Sequence, residues 1–164
     1  MPNPRRNLPV NVRNKRTEIL FQNKFLKLWI LQNDTPGVGG SQFAVPGFGI
    51  ADYVFIESNQ HITAFEFKIS DWRKGLAQAA RYKCYAHRSF LVVPQAIAHR
   101  IKPFFKKLKE INVGLCIFNS QTNIIDTIYS PKVKEPFSKN AHNNALSILN
   151  GKRNFSKLGK LVNS

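Results

Sequence analysis

Ile62-Thr63-Ala64-Phe65-Glu66-Phe67-Lys68-Ile69 is the stretch whose reading decides the fold. Side chains alternate across a sheet, so Thr63, Phe65, Phe67 and Ile69 share one face, and Ala64, Glu66 and Lys68 the other. The run is apolar enough for a buried strand, yet it sets a carboxylate and an ammonium side by side near its end. Upstream, the glycine-rich Pro46-Gly47-Phe48-Gly49 leads into Ile50-Ala51-Asp52. Val54-Phe55-Ile56 then reads as an antiparallel partner strand, with Asn59-Gln60 near the turn. In such a hairpin the start of one strand lies beside the end of the other, which brings Asp52 towards Glu66 and Lys68. Turn length decides whether they meet. A two-residue turn on Asn59-Gln60 sets Asp52 opposite Phe67, on the wrong face; a three- or five-residue turn, or a bulge, restores a common face.

Around this hairpin the periodicity predicts a helix over Thr17–Leu31, whose Phe21, Phe25, Leu28 and Trp29 form a stripe suited to packing on a sheet. Asn33 to Gly40, with Pro36 and three glycines, predicts a loop, and an early strand is expected around Gln42–Val45. Ser70 or Asp71 caps a helix running from Trp72 to about Arg88. Phe90-Leu91-Val92-Val93 reads as a short strand. Gln95–Ile111 reads as helix, interrupted or restarted at Pro103. Val113–Phe118 and Ile124–Tyr129 complete the strands, and Ala141–Leu149 suggests a short helix. Strands alternating with helices imply an α/β sandwich around a mixed central sheet.

Composition limits the functions that fit. At 164 residues the chain is one domain in size, and 13 Phe residues supply a core. No apolar run reaches the roughly 18 to 20 residues of a membrane span. Met1–Arg6 has charge without an apolar stretch behind it, unlike a secretory signal. Cys84 and Cys116 fall in regular elements with no ligand spacing, and are expected as reduced core thiols in a cytoplasmic or nucleoid-associated protein. His61, His87, His99 and His142 are dispersed and make no zinc motif. Gly37-Val38-Gly39-Gly40 lacks the lysine and the context of a phosphate loop.

Twenty-five Lys and Arg against nine Asp and Glu give a net charge of +16 and a pI near 10.3. That excess points to a polyanionic partner, since phosphate contacts release condensed counterions. Residues 1–16 carry Arg5, Arg6, Arg13, Lys15 and Arg16 with no acid, and residues 131–164 carry seven basic residues with only Glu135. These ends are expected to be basic arms flanking a central domain over 17–130, holding phosphates without reading sequence. Arg73, Lys74, Arg81 and Lys83, on the helix beside the hairpin, are placed either to contact phosphates or to form a solvated helix face; Lys102, Lys106, Lys107 and Lys109 are expected to face solvent.

Glu-x-Lys alone is common, and an ordinary ion pair on a solvated strand face, with Asp52 as a turn residue, explains it better by itself. With only nine acids in the chain, however, two fall at this one sheet edge. Carboxylates there are suitable hard ligands for Mg²⁺ at a phosphate, and a lysine beside them can orient water or neutralise developing charge.

Gly49-Ile50-Ala51-Asp52 followed by an apolar strand, then Glu66-Phe67-Lys68 on the hairpin partner, resembles the PD-(D/E)XK nucleases, in particular their VRR-NUC and Holliday-junction-resolvase-like branches. Leu76-Ala77-Gln78-Ala79-Ala80-Arg81-Tyr82 is similar to the Gln-x-x-x-Tyr pattern of several branches. The resemblance covers roughly residues 17–119; Ala51 stands where the family usually has proline. It implies a restriction-endonuclease-like fold with an αβββαβ core and a DNA endonuclease using Mg²⁺, with Mn²⁺ as a substitute. It also implies roles: Asp52 and Glu66 as metal ligands, the Phe67 carbonyl as a third, Lys68 as the catalytic lysine. Glu18 resembles the helical glutamate some branches bring to the metal, and Gln78 is placed to reach the site. Cutting both strands of a duplex takes two sites, which admits a homodimer. The alternatives are a non-catalytic nucleic-acid-binding protein on the same fold and a basic structural protein.

Overall fold

A computed structural model describes residues 10–151 and 156–157. Seven strands form one sheet in the order β6-β5-β4-β3-β2-β1-β7. β3, β4 and β5 are parallel and every other neighbour is antiparallel, so the sheet is mixed. The chain runs α1 (Val10–Gln32), β1 (Gly37–Ala44), β2 (Ile50–Glu57), β3 (Ile62–Phe67), α2 (Trp72–Tyr82) and β4 (Arg88–Pro94). Then come α3 (Ala98–Ile101), α4 (Phe105–Glu110), β5 (Gly114–Asn119), β6 (Ile124–Tyr129), α5 (Lys139–Gly151) and the two-residue β7 (Ser156–Lys157). The architecture is an α/β sandwich whose first six elements run αβββαβ.

The alternation in β3 sorts the core into two layers. Phe65 and Phe67 face α1, where Phe21, Phe25 and Leu26 join Tyr53, Phe55 and Phe118 in one cluster. Phe25 meets Phe67 and Phe118 edge-on, with ring centroids 5.3 Å and 5.6 Å apart, a geometry worth more than its area alone. On the other face Ile62 and Ala64 meet Tyr82, Tyr85 and α5, while Leu91, Val93 and Leu115 meet Trp72, Ile101 and Leu108.

Several boundaries differ from the sequence reading. α1 begins at Val10, not Thr17, so Arg13, Lys15 and Arg16 belong to its first turns and not to an arm; residues 1–9 lie outside the described residues. Its buried stripe includes Leu26 and Ile30, while Leu28 and Trp29 are only half-buried. The predicted loop over 33–40 is half strand. A Cβ at Gly37 would come within 2.4 Å of the Phe55 ring, and one at Gly39 within 1.7 Å of the Tyr53 hydroxyl. Those glycines admit aromatic neighbours from β2; they do not break a strand. α2 stops at Tyr82, and turns carry the chain over Lys83–His87 to β4. Residues 95–110 divide at Pro103 into α3 and α4 joined by 3-10 turns.

The C-terminal region is also more than an arm. Ala141, Ala145 and Leu149 of α5 are buried in the core, because their spacing makes an apolar stripe. Main-chain bonds tie the approach to α5 back onto the turn after α2: Lys134 N to His87 O, Phe137 N to Lys83 O and Ser138 N to Cys84 O. The domain therefore extends past 130. Cys116 is buried and Cys84 half-buried, both as free thiols.

Here the fold gathers three histidines that the sequence disperses. His61 and His87 stack with centroids 4.3 Å apart, and His142 of α5 meets His87 edge-on at 5.0 Å. His87 accepts from the Ile62 N–H through Nδ1. Burial, then the neighbouring His61 and His142, push its pKa down to about 4. A histidine held below its usual 6.5 lets the unfolded chain bind the extra proton first, so its stabilising effect is complete above 6.5 and lost as pH falls towards 4. The melting temperature is expected to fall as pH drops through that window, and to fall less in His87→Gln; parallel thermal melts of the two proteins measure the difference.

Candidate functional site

The turn between β2 and β3 has three residues. Glu57 N bonds His61 O across Ser58, Asn59 and Gln60, and Gln60 takes the left-handed conformation, φ 68°, that closes three-residue hairpins. The register pairs Tyr53 with Phe65 and Ile56 with Ile62; continued one step, it sets Asp52 across from Glu66. Asp52 Oδ2 accepts from Phe67 N at 2.8 Å, locking the two strand ends together.

Glu66 is 1% exposed, which excludes a pair on a solvated face. Its Oε1 lies 2.8 Å from Lys68 Nζ, and Lys68 reaches on to Glu18 Oε1 of α1 at 4.0 Å. Glu18 Oε2 also accepts from Ile69 N. Glu18, Asp52, Glu66 and Lys68 thus meet at one end of the sheet, three acids around one ammonium in a strongly basic chain. Glu18 and Asp52 line a cleft of about 370 Å³ with Lys15, Gln22 and Gln42. Glu66 and Lys68 lie behind its wall, Lys68 reaching the lining residue Glu18. A second cleft of about 310 Å³, bordered by Trp29, Thr63, Arg88 and Thr127, holds none of the expected site residues.

The electrostatics follow from this crowding. Burial, then the Asp52 charge, push Glu66 up to about 7. Burial likewise raises Asp52 and Glu18 above the ordinary carboxylate range. Burial works against a charged Lys68, but Glu66, Glu18 and Asp52 together outweigh it and raise its pKa. The cluster carries more acid than its one lysine neutralises.

Three further contributors appear, of which Gln22 and Gln42 escape the sequence reading and Tyr82 enters it only in the Gln-x-x-x-Tyr resemblance. The Tyr82 hydroxyl lies 2.7 Å from both Glu66 Oε2 and the Ile50 carbonyl. A hydroxyl has one proton for two acceptors, and a Glu66 carboxyl still protonated near neutrality supplies the second. Gln22 donates to the Asp52 carbonyl at 3.2 Å. Gln42, at φ 52°, brings Nε2 to 3.5 Å from Asp52 Oδ1. Gln22 sits one turn after Glu18 on α1, a spacing that is its sequence signal; Tyr82 sits one turn after Gln78 on α2, and Gln42 of β1 has no such signal.

Gln78 lies between two residues of α2 that touch the site. A Cβ at Gly75 would come within 2.4 Å of Lys68 Cγ, and Tyr82 reaches Glu66. On the same helix face, Gln78 keeps Oε1 buried and without a hydrogen-bond partner, an expense that a bound polar group would relieve. Gly75→Ala is expected to displace Lys68 and lower any activity of the site at least tenfold. The new methyl also comes within 2.9 Å of the buried Leu91 Cδ1, so overpacking of about 1–3 kcal/mol outweighs the ~1 kcal/mol that alanine lends the helix and the melting temperature falls, which paired rate and melting measurements check.

The predicted phosphate contacts divide. Lys15, Arg16, Arg73, Lys74 and Arg81 are exposed, and Arg81 reaches to the glycine turn, 3.6 Å from where a Cβ of Gly49 would stand. The Arg13 side chain lies outside the described residues. Lys83 turns away: its Nζ bonds the Ile111 carbonyl and sits 4.9 Å over the Phe137 ring, so it is spent on structure.

No family model matches the chain, and no curated protein matches it. A solved structure described as the SPO1766 protein of unknown function from Silicibacter pomeroyi superposes with a TM-score of 0.49 and 16% identity, covering 68% of this chain and 70% of that one. That likeness carries no assignment of function. Among the described residues no helix is long and apolar enough to cross a membrane.

The donor set can be tested against a divalent cation directly. Among the described residues, no three His, Cys, Asp or Glu side chains converge closely enough to hold an ion unaided. What they do offer is hard oxygen chemistry: buried carboxylates in surplus, their charge incompletely offset. Mg²⁺ suits such a place, because it binds through one or two carboxylates and keeps several waters. The residues fit.

Proposed function

We propose that this chain is a Mg²⁺-dependent nuclease of the PD-(D/E)XK type, hydrolysing phosphodiester bonds in DNA. One observation carries the reading: a three-residue turn sets Asp52 opposite a buried Glu66 whose carboxylate holds Lys68 at 2.8 Å. Carboxylates and a lysine brought together inside a basic protein are costly to the fold, and chemistry on a phosphate gives them a use.

In this reading Asp52 and Glu66 hold the ion, with Glu18 and the Phe67 carbonyl as further donors. When bound, the ion polarises a phosphoryl oxygen and lowers the pKa of a water. Lys68 orients that water, or offsets the charge that grows on the phosphate as its bond breaks. Tyr82 fixes the Glu66 carboxyl, Gln22 and Gln42 hold Asp52 from two sides, and Gln78 offers its unpartnered amide oxygen to the water. Lys15, Arg16, Arg73, Lys74 and Arg81 position the DNA backbone without reading bases. Two copies acting on opposite strands would make a double-strand cut.

The test is incubation of the purified protein with duplex, branched and single-stranded DNA, each with Mg²⁺, Mn²⁺ or chelator. Cleavage of at least one form, dependent on the cation, is expected. A protein that binds DNA and cuts none of these forms would instead be a non-catalytic binder.

A further inference from the structure

We infer that α3 and α4, together with the start of α2, form a second DNA-binding surface that grips the phosphate backbone of the duplex beyond the cutting site. The inference takes DNA as the partner from the proposed function, and its test is binding without cleavage. Between residues 100 and 109, Arg100, Lys102, Lys106, Lys107 and Lys109 are all exposed, while Ile101 and Leu108 go into the core. The burial of those two residues forces the cations outward together. Lys102 and Lys106 stand four apart, and Lys106 and Lys109 three apart, spacings at which like charges repel on a helix. The acid on α4 is Glu110, which reaches Lys107 at 4.0 Å between two exposed groups, a pair that offsets little. At the start of α2 the exposed Asp71 is engaged as the helix cap, accepting from Lys74 N. Arg73 and Lys74 at the start of α2, with Arg100, Lys102, Lys106, Lys107 and Lys109, therefore outnumber Asp71 and Glu110 on this surface, and a polyanion complements the excess.

A second feature joins this surface to the site. Trp72, at the start of α2, packs on Phe104 between α3 and α4, with centroids 4.9 Å apart. The Arg73 guanidinium lies 4.5 Å over Trp72 and 5.2 Å over Phe104. Stacking holds the guanidinium plane while leaving its N–H edge free for phosphate oxygens. One turn further along α2, Gly75 backs Lys68. Arg73 thus sits beside the segment that carries Phe104 and Lys102, where the basic run of α3 and α4 meets the start of α2.

Binding to a fluorescein-labelled duplex of mixed sequence, measured by anisotropy in chelator over a series of salt concentrations, tests this independently of cleavage. Each phosphate contact contributes about 0.9 to the slope of log K against log salt. The variant K102Q/K106Q/K107Q/K109Q is expected to lose 2 to 4 of that slope and to bind at least ~10-fold more weakly near 0.1 M salt. Arg73→Gln is expected to lose about one further contact. The variant K27Q/K132Q/K134Q/K139Q removes the same formal charge from exposed positions elsewhere, and is expected to change the slope by less than one contact. Equal losses in the two quadruple variants, or none in the first, would overturn the inference, because only the overall field would then matter. So would a wild-type protein that fails to bind. If the protein binds through this surface yet cuts nothing, the nuclease reading falls and the surface stands.

Discussion

Glu66→Gln is expected to abolish DNA cleavage and, without added cation, to stabilise the fold above neutral pH. The sign follows from the pKa. Glu66 is held near 7 in the folded chain, above its ordinary unfolded value of about 4.3. A raised carboxyl binds its proton more tightly when folded, so its contribution is fully present at low pH and is lost as pH rises through 7. A rise of that size corresponds to roughly 4 kcal/mol of stability withdrawn at high pH, since each pKa unit is about 1.36 kcal/mol. Glutamine keeps the shape and never ionises. The gain is partly offset because Lys68 then loses its partner. Denaturant unfolding of both proteins between pH 4.5 and 8.5 measures the effect: the stability difference should grow with pH and level off above about 8. A difference independent of pH would mean that Glu66 is not the strained group this geometry describes.

Lys68→Ala should lower the cleavage rate by about 10²–10³, in line with the loss of one preorganised group opposing transition-state charge. Here stability and activity separate in a different way. Removing Lys68 leaves Glu66 buried without its 2.8 Å partner, and breaking a buried pair ordinarily costs 3–5 kcal/mol. Glu66 can escape most of that cost by staying protonated, so the loss should be small at pH 5 and pronounced at pH 8. Single-turnover rates at saturating Mg²⁺, with melting curves at both pH values, separate a catalytic loss from an unfolding one. A Lys68→Ala protein that cuts at the wild-type rate would remove Lys68 from the chemistry.

The same physics explains which parts of the molecule can be read from its sequence. The hairpin is legible because β3 has to alternate, and a charge pair at its end interrupts an otherwise apolar run. Turn length is not legible: Gln60 adopts its left-handed φ without being glycine, and only the register reveals three residues in place of two. Gly37 and Gly39 mislead, because a glycine that makes room for an aromatic ring looks in sequence like one that breaks a strand. The early start of α1 is hidden by the polar, basic character of residues 10–16, which signals an exposed segment equally well in helix or coil. α5 is obscured by its Asn-rich composition, although Ala141, Ala145 and Leu149 keep the helical spacing. Tyr82 reads as packing because its ring is core, while its hydroxyl alone touches Glu66. The histidine cluster has no local signal, since His61 and His87 meet through the pairing of β3 with β4 and His142 joins them through the docking of α5.

The central claim is that Asp52 and its neighbours cut DNA with the help of a divalent cation. Its most direct test is one comparison: wild-type protein and Asp52→Ala, expressed and purified identically, each incubated with end-labelled DNA of the form the wild type prefers, with Mg²⁺ and then with excess chelator. Asp52 is exposed enough to line the cleft, and its replacement leaves the apolar core intact, so the variant should fold. The expected result is Mg²⁺-dependent cleavage by the wild type, stopped by chelator, and a rate at least ~10²-fold lower in Asp52→Ala. Equal cleavage by both proteins, or none by the wild type on any DNA form, would contradict the account.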